Sequence, residues 1–454
     1  MQFFMPAQNL AKVLVATSND LATPTIFNTI RPINMRFFLR PQASCQYLAP
    51  LDGVRAIAVM LVITFHAYFF LQYGMAEMSN FIEFSNSLPA VLSWVRRGDL
   101  GVDLFFVLSA FLIGSQLFCE NYQTDHICLK RFYLKRFLRI YPIYLFALGI
   151  HVASKGWDPA LLGNIFAFNN LVNLENIIIP WSWSLSVEIQ FYAVFPLLIL
   201  ALTRTSQAVF FAAIVILFSL TWTSYFYFTN PVLQTQSVID VIANKDKATQ
   251  IYYMQYLYVS PAVRAPAFIF GAAAAWLWNN KREACTSYYQ RHKKLFLIGS
   301  IAAIAIMAVI SSVNIYQPKT TMSTVQNTLY TLNMLFGRTL FALLAAGLLL
   351  VVLIPKQQVS FPSRLLSSKW LFPIARGSYS MYLFHPIFLF AAFALLFGEQ
   401  KINQVSLTQL FALAGLGILF SFVFSIFTYY LIEKWFTFSR IAHFIDSKKS
   451  TVDA

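Results

Sequence analysis

His66 follows Arg55 by eleven residues in an otherwise apolar run, and that pairing is the first place to look for chemistry. Eleven residues make about three helical turns, so the two side chains share a face and lie roughly 16 Å apart along the axis. Arg55 would then sit at the water line and His66 beyond the midplane of a bilayer. A neutral imidazole there could take a proton from an attacking hydroxyl, because its pKa lies near working pH. The plain alternative is a histidine hydrogen-bonded between helices for packing.

Glu188 lies in Trp181-Ser-Trp-Ser-Leu-Ser-Val-Glu-Ile-Gln-Phe-Tyr192, just inside an apolar span. A carboxylate at that depth could orient an imidazolium or bind a sugar, or it could pair with an arginine of a neighbouring span. Trp183 and Ser184 offer a ring face and a hydroxyl, although tryptophan is ordinary at a membrane interface. Asp103 opens the second candidate span, where an acid often only complements the dipole. His385 precedes Pro386, which should kink its span, and could shape a cavity or bond across helices. His151 reads as a span-end packing histidine. Ionisable groups at bilayer depth cost at least about 2.5 kcal/mol, so Arg264 and Arg338 also need a reason to be there. In the basic run 130–142, Arg136 and Arg139 are three apart and share a helical face. Their forks suit phosphate oxygens, while the plain reading is a topology signal that also touches anionic headgroups.

The elements that must position these groups are membrane helices. Of 454 residues, 58% are hydrophobic and only 11% charged, against roughly 25% charged in a soluble domain. Apolar runs of about 20 residues recur along the chain. Ten spans are expected, at 56–73, 99–118, 138–154, 184–203, 207–228, 262–279, 294–313, 332–354, 378–397 and 408–431, giving an all-α polytopic bundle. Lysines and arginines crowd alternate connections, so the net charge of +15 reads as a positive-inside signal with both termini cytoplasmic, not as nucleic-acid binding. Two connections on the other side are long. Leu161–Leu174 reads as a re-entrant or interfacial helix, and 229–261 could cover an acceptor site.

The expected organisation is an N-terminal extension (1–50), a membrane domain (51–435) and a C-terminal tail (436–454). The first residues do not pattern as a cleavable signal peptide, and Met35 is an alternative start. Cys45, Cys119, Cys128 and Cys285 show no pairing pattern. Cys119, His126 and Cys128 fit no zinc spacing, so no metal is expected.

Five stretches carry a family likeness, in order along the chain. They are Leu51-Asp-Gly-Val-Arg55 leading to His66; Gly98 to Ile113, which contains Asp103 and Ser109; Lys135 to Pro142; Trp183 to Tyr192; and Ser378 to Pro386. Together they resemble the acyltransferase-3 family of integral-membrane acyltransferases, which includes bacterial O-antigen and exopolysaccharide O-acetyltransferases. The resemblance implies a ten-helix fold in which acyl-CoA enters from the cytoplasm as co-substrate, with no permanently bound cofactor. It makes His66 the expected catalytic histidine, paired with Arg55, and points to Arg136 and Arg139 as donor contacts and to Glu188 as part of the site. With the reading of the residues above, His66 and Glu188 are the expected catalytic groups, Arg55, Arg136 and Arg139 bind acyl-CoA, and Asp103, Ser109, Trp183, Ser184 and His385 support them. It favours a glycan or lipid-linked saccharide acceptor and a bacterial inner membrane. Ala110 stands where the family usually has glycine. Arg264-Ala-Pro-Ala267 replaces an Arg-x-x-Glu, which leaves Arg264 without its expected carboxylate. No esterase-like domain is expected after the spans.

The expected reaction is general-base acyl transfer, with an acyl-histidine relay as the covalent variant. A proton-coupled transporter using His66, Asp103 and Glu188 is the rival from another class, although no inverted repeat is apparent. A non-catalytic membrane sensor is a third reading.

Overall fold

Among the described residues ten helices are long and apolar enough to cross a membrane, and in hydrocarbon a helix satisfies its own backbone polar groups. The computed structural model describes residues 37–38, 47–172, 177–204, 207–315, 317–354, 360–398 and 401–437. The N-terminal extension, Met35 and Cys45 thus fall almost wholly outside the described residues, as does the tail beyond Thr437. By contacts the chain divides into Met1–Pro41 and Gln42–Ala454, and the second unit carries every span. Among the described residues the only strand-like pairing is an isolated bridge between Met75 and Ile402.

The helices used below are α1 (Ala49–Gly74), α2 (Leu100–Thr124), α3 (Leu129–Lys155), α4 (Trp183–Arg204), α5 (Ala208–Phe228), α6 (Pro261–Asn280), α7 (Arg282–Arg291), α8 (Lys293–Ser312), α9 (Arg338–Leu353), α10 (Leu371–Phe397) and α11 (Leu407–Thr428). All but α7 belong to candidate spans. Pro50 and Pro261 occupy the first turns of α1 and α6, where the missing N–H costs nothing. Several helices start well before their apolar stretch, as α3 does at Leu129 and α10 at Leu371. Backbone bonding there continues past the hydrocarbon edge, which hydropathy cannot register.

Burial sorts the spans. The apolar windows of α5 and α8 are only 11% buried, whereas those of α2 and the run ending in α6 are 61% and 67% buried. The first pair therefore faces lipid and the second forms the core. On α2, Asp103, Val107, Ala110 and Gly114 fall on one helical face; on α6, Arg264, Phe268, Gly271 and Ala275 do the same. A methyl at Gly271 would lie 2.4 Å from Val107 O and 2.8 Å from the Ala110 methyl, and one at Gly114 would lie 3.0 Å from that of Ala275. Small residues four apart on both helices let the backbones touch. Ala110 is accommodated because Gly271 faces it.

Over the described residues 161–172 the expected re-entrant or interfacial helix is not continuous, and 173–174 lie outside the described residues. The helix runs only from Ala160 to Ile165, and Ala167 turns the chain with φ +59°. Asn169 then reaches Ser182 Oγ at 2.8 Å and Asn164 Oδ1 at 3.1 Å. Burying these amides with hydrogen-bonded partners outweighs continuing the helix. The connection 229–261 folds into short helices, Pro231–Thr235, Val238–Ala243 and Lys247–Tyr252, and a π-helical turn at Tyr253–Tyr258.

Candidate active site

Three adjoining cavities run through the bundle. At the end where α1 begins, a polar cavity of about 390 Å³ is lined by Gln116, Glu120, Arg131, Lys135 and Arg136 among others. Arg136 also lines the next, a narrow space of about 110 Å³ bounded by Arg55, Ser109, Arg139, Ser184, Glu188, Tyr192 and Tyr382. Tyr382 and Val102 in turn line a third cavity of about 520 Å³ towards the opposite end, with His66, Asp99, Trp181, Trp183, Tyr258 and Pro386. Leu233, Val238, Val241 and Tyr253 cover it, so the connection 229–261 does roof a cavity.

His66 is half-buried on α1, and its Nδ1–H donates to Val62 O at 2.9 Å. That bond leaves Nε2 as the basic nitrogen. His385, fully buried on α10, has its ring centre 4.6 Å from that of His66 at an angle of 65°. Pro386 has no N–H, so the carbonyl of Tyr382 four residues back loses its helical donor. His385 Nδ1–H takes that carbonyl at 2.6 Å. The helix continues through Pro386 to Phe397. Both imidazoles thereby present Nε2 lone pairs, and that of His385 has no hydrogen-bond partner.

Glu188 and His66 do not meet; they line different cavities. Ser109 Oγ–H donates to Glu188 Oε1 at 2.6 Å, and the Tyr192 hydroxyl, one turn on, donates to the same oxygen. The carboxylate thus faces the space that Arg55, Arg136 and Arg139 line. Arg136 Nη2 also donates to Gln116 Oε1 at 2.7 Å, and Arg55 lies 4.0 Å from Asp52. The partition between the second and third cavities is held by hydrogen bonds. The Tyr382 hydroxyl donates to Trp181 O at 2.9 Å and contacts Ser184 Oγ at 2.6 Å.

Arg264 has a carboxylate after all, supplied by another helix. Its Nη1 donates to both oxygens of Asp103 at 2.8 and 3.0 Å, and its Nε donates to Tyr258 O at 2.8 Å. Arg338 Nη1 bonds Asp103 Oδ2 at 2.6 Å, and its Nη2 bonds Asp99, which Arg97 Nε meets at 3.3 Å. Three arginines and two aspartates form one buried chain of formal charge +1, closed by Arg97 Nη1 on Asn333 Oδ1 at 2.5 Å. The Arg264 guanidinium stacks 4.8 Å from the Trp183 ring and 4.9 Å from that of Tyr258, both walls of the third cavity. Two π-helical turns serve this cluster, Tyr253–Tyr258 presenting the carbonyl and Asn333–Gly337 the amide just before Arg338, in keeping with the habit of such bulges at functional positions.

Sequence reasoning missed Arg97, Asp99, Asn333, Tyr192, Tyr258 and Tyr382. Arg96 and Arg97 read as loop charges but are 7% and 4% exposed. The adjacent Arg-Arg-Gly-Asp at a span edge was the available signal. His151 is half-exposed at the end of α3 and lines none of these cavities.

A ten-span bundle holding a histidine in one cavity and Arg55, Arg136 and Arg139 in the next defines a class of membrane protein, and comparison with known sequences agrees. The model of the acyltransferase domain, type 3, matches residues 48–429, and the chain belongs to that family. It is 26% identical over 368 residues to the peptidoglycan O-acetyltransferase OatA of Listeria monocytogenes, covering 75% of this chain and 49% of that protein. It is 31% identical over 180 residues to the O-acetyltransferase OatA of Staphylococcus aureus, covering 36% of this chain and 26% of that protein. The chain thus matches half or less of the length of these curated relatives. No solved structure matches.

Proposed function

We propose that this chain transfers an acyl group, acetyl in the first instance, from acyl-CoA to a hydroxyl of an envelope or lipid-linked glycan. The observation that carries the reading is the row of three cavities joined by Arg136 and by Tyr382 with Val102. A CoA thioester is a long molecule with an anionic head and a thin arm, and the row matches it in charge and width. Its phosphates would meet Arg131, Lys135 and Arg136 at the cytoplasmic mouth, where arginine forks suit them. The pantetheine arm would pass Arg55, Arg139 and Glu188, and the thioester would reach His66 past Tyr382.

In the third cavity, His66 Nε2 takes the proton of the acceptor hydroxyl as its oxygen attacks the thioester carbonyl. The C–S bond breaks, and the proton is returned to the CoA thiolate. The +1 arginine–aspartate chain behind Trp183 and Tyr258 favours the oxyanion that develops, since fixed charge at a dry site counts for more than in water. Glu188 orders the narrow cavity through Ser109 and Tyr192. The named activities of the two relatives support an O-acetyl product on an envelope polymer, and a bacterial inner membrane suits that acceptor. A proton path through His66, Asp103 and Glu188 is less well supported, because Asp103 is taken up by two arginines.

The test uses purified full-length protein with radiolabelled acetyl-CoA and isolated envelope glycans. Wild type should label a glycan. His66→Ala should bind CoA unchanged yet lose transfer by about 10²–10⁴-fold, while Arg136→Ala should weaken CoA binding itself. If neither acetyl-CoA nor longer acyl-CoAs are turned over by wild type, the enzyme reading is wrong.

A further inference from the structure

A fourth cavity has no part in this reaction. It measures about 770 Å³ and lies between α6, α8 and α9, on the side of the bundle that faces lipid. Its walls are apolar, and two glycines line it, Gly299 on α8 and Gly347 on α9. A methyl group added at either would meet nothing within 4 Å. Small residues in membrane helices usually let another backbone approach; here they keep a groove open. The size is in the range of sites that hold a ligand, roughly 300–1,000 Å³.

Depth decides between occupants. The lining runs from Leu295 to Ala303 on α8 and from Leu343 to Val351 on α9, with Ile354 just past the end of α9, which is about 12 Å of helix at 1.5 Å per residue. That is one leaflet of a hydrocarbon core about 30 Å thick. A spanning helix of a second copy would need the full thickness, whereas a single acyl chain needs half. The end of the groove is also roofed by Cys285 and Tyr288 of the short helix α7, which obstructs a helix running out of the membrane there.

The mouth is basic. Arg282 lines it with its guanidinium 4.4 Å above the Trp278 ring, and Lys281, Arg291, Lys293 and Lys294 flank it in sequence. The stacking aligns the guanidinium beside the groove and leaves its edge N–H groups to donate outwards. Tryptophan at this level is an interfacial anchor.

We infer that this groove is a binding site for an anionic glycerophospholipid of the basic-side leaflet, one acyl chain lying along Gly299 and Gly347 and the phosphate on Arg282. The lipid fills the gap between α6 and the lipid-facing α8, and so ties a peripheral helix to the core.

The test is native mass spectrometry of the full-length protein from nanodiscs of phosphatidylglycerol or of phosphatidylcholine with identical chains. Wild type should retain one phosphatidylglycerol, preferred about fivefold, as expected for one added basic contact at the surface. Arg282→Gln should abolish the preference, and Gly347→Phe should lose the lipid altogether while its unfolding transition shows that the chain still folds. Equal retention of both lipids by wild type overturns the proposal, as does a chain dimer that Gly347→Phe dissociates. If Gly347→Phe does not fold, Arg282→Gln decides alone: an unchanged preference refutes the assignment.

Discussion

Removing Asp103 should expose how far the buried charges depend on one another. Asp103 is 1% exposed and accepts three charged hydrogen bonds, two from Arg264 and one from Arg338. In Asp103→Leu the cluster keeps Arg97, Arg338, Arg264 and Asp99, so its formal charge rises from +1 to +2. Arg264, itself 1% exposed, keeps only Tyr258 O and two aromatic faces. Breaking a buried pair from one side costs about 3–5 kcal/mol, which shifts the folding equilibrium by roughly 10²–10⁴-fold. Removing both partners differs, because no uncompensated charge stays buried. Asp103→Leu/Arg264→Met should therefore recover most of that loss, while Arg338 retains Asp99. Denaturation of wild type, both single variants and the double variant in one detergent measures the cycle. If Asp103→Leu is as stable as wild type, or the double variant is as unstable as the summed singles, the charges are not coupled as described.

Two other perturbations probe the packing and the partition. Gly271→Ala should destabilise by about 1–3 kcal/mol or more, because its methyl would sit 2.4 Å from the rigid Val107 carbonyl. Adding Ala110→Gly should recover only part of this, since the carbonyl stays, and denaturation would detect a full rescue as a contradiction. Tyr382→Phe removes the hydroxyl that holds Trp181 O and Ser184 Oγ but keeps the ring. Acetyl-CoA hydrolysis without acceptor should rise several-fold at unchanged CoA affinity; unaltered hydrolysis would mean that Tyr382 is not a barrier.

The sequence alone determined the class of fold, because each span must satisfy its own backbone in lipid and announces itself by about 20 apolar residues. All ten expected spans are present, with starts displaced where polar helix continues outside the hydrocarbon. His66, Glu188 and Asp103 could be singled out for the same reason: charge at membrane depth is costly, so it is rare and conspicuous. Which of them meet was a tertiary matter. Arg264 looked bereft because its local acid was missing, yet its partner lies 161 positions away on α2. Arg97 looked like a loop charge, yet it closes a chain that ends on Asn333, 236 positions on. Glu188 and His66, natural partners on paper, line separate cavities divided by Tyr382. Hydropathy is a property of one helix at a time, read through the lipid it must cross. The site is a property of which helical faces touch, and that was decided by small residues such as Gly271 and Gly114, whose role only shows when a second backbone lies against them.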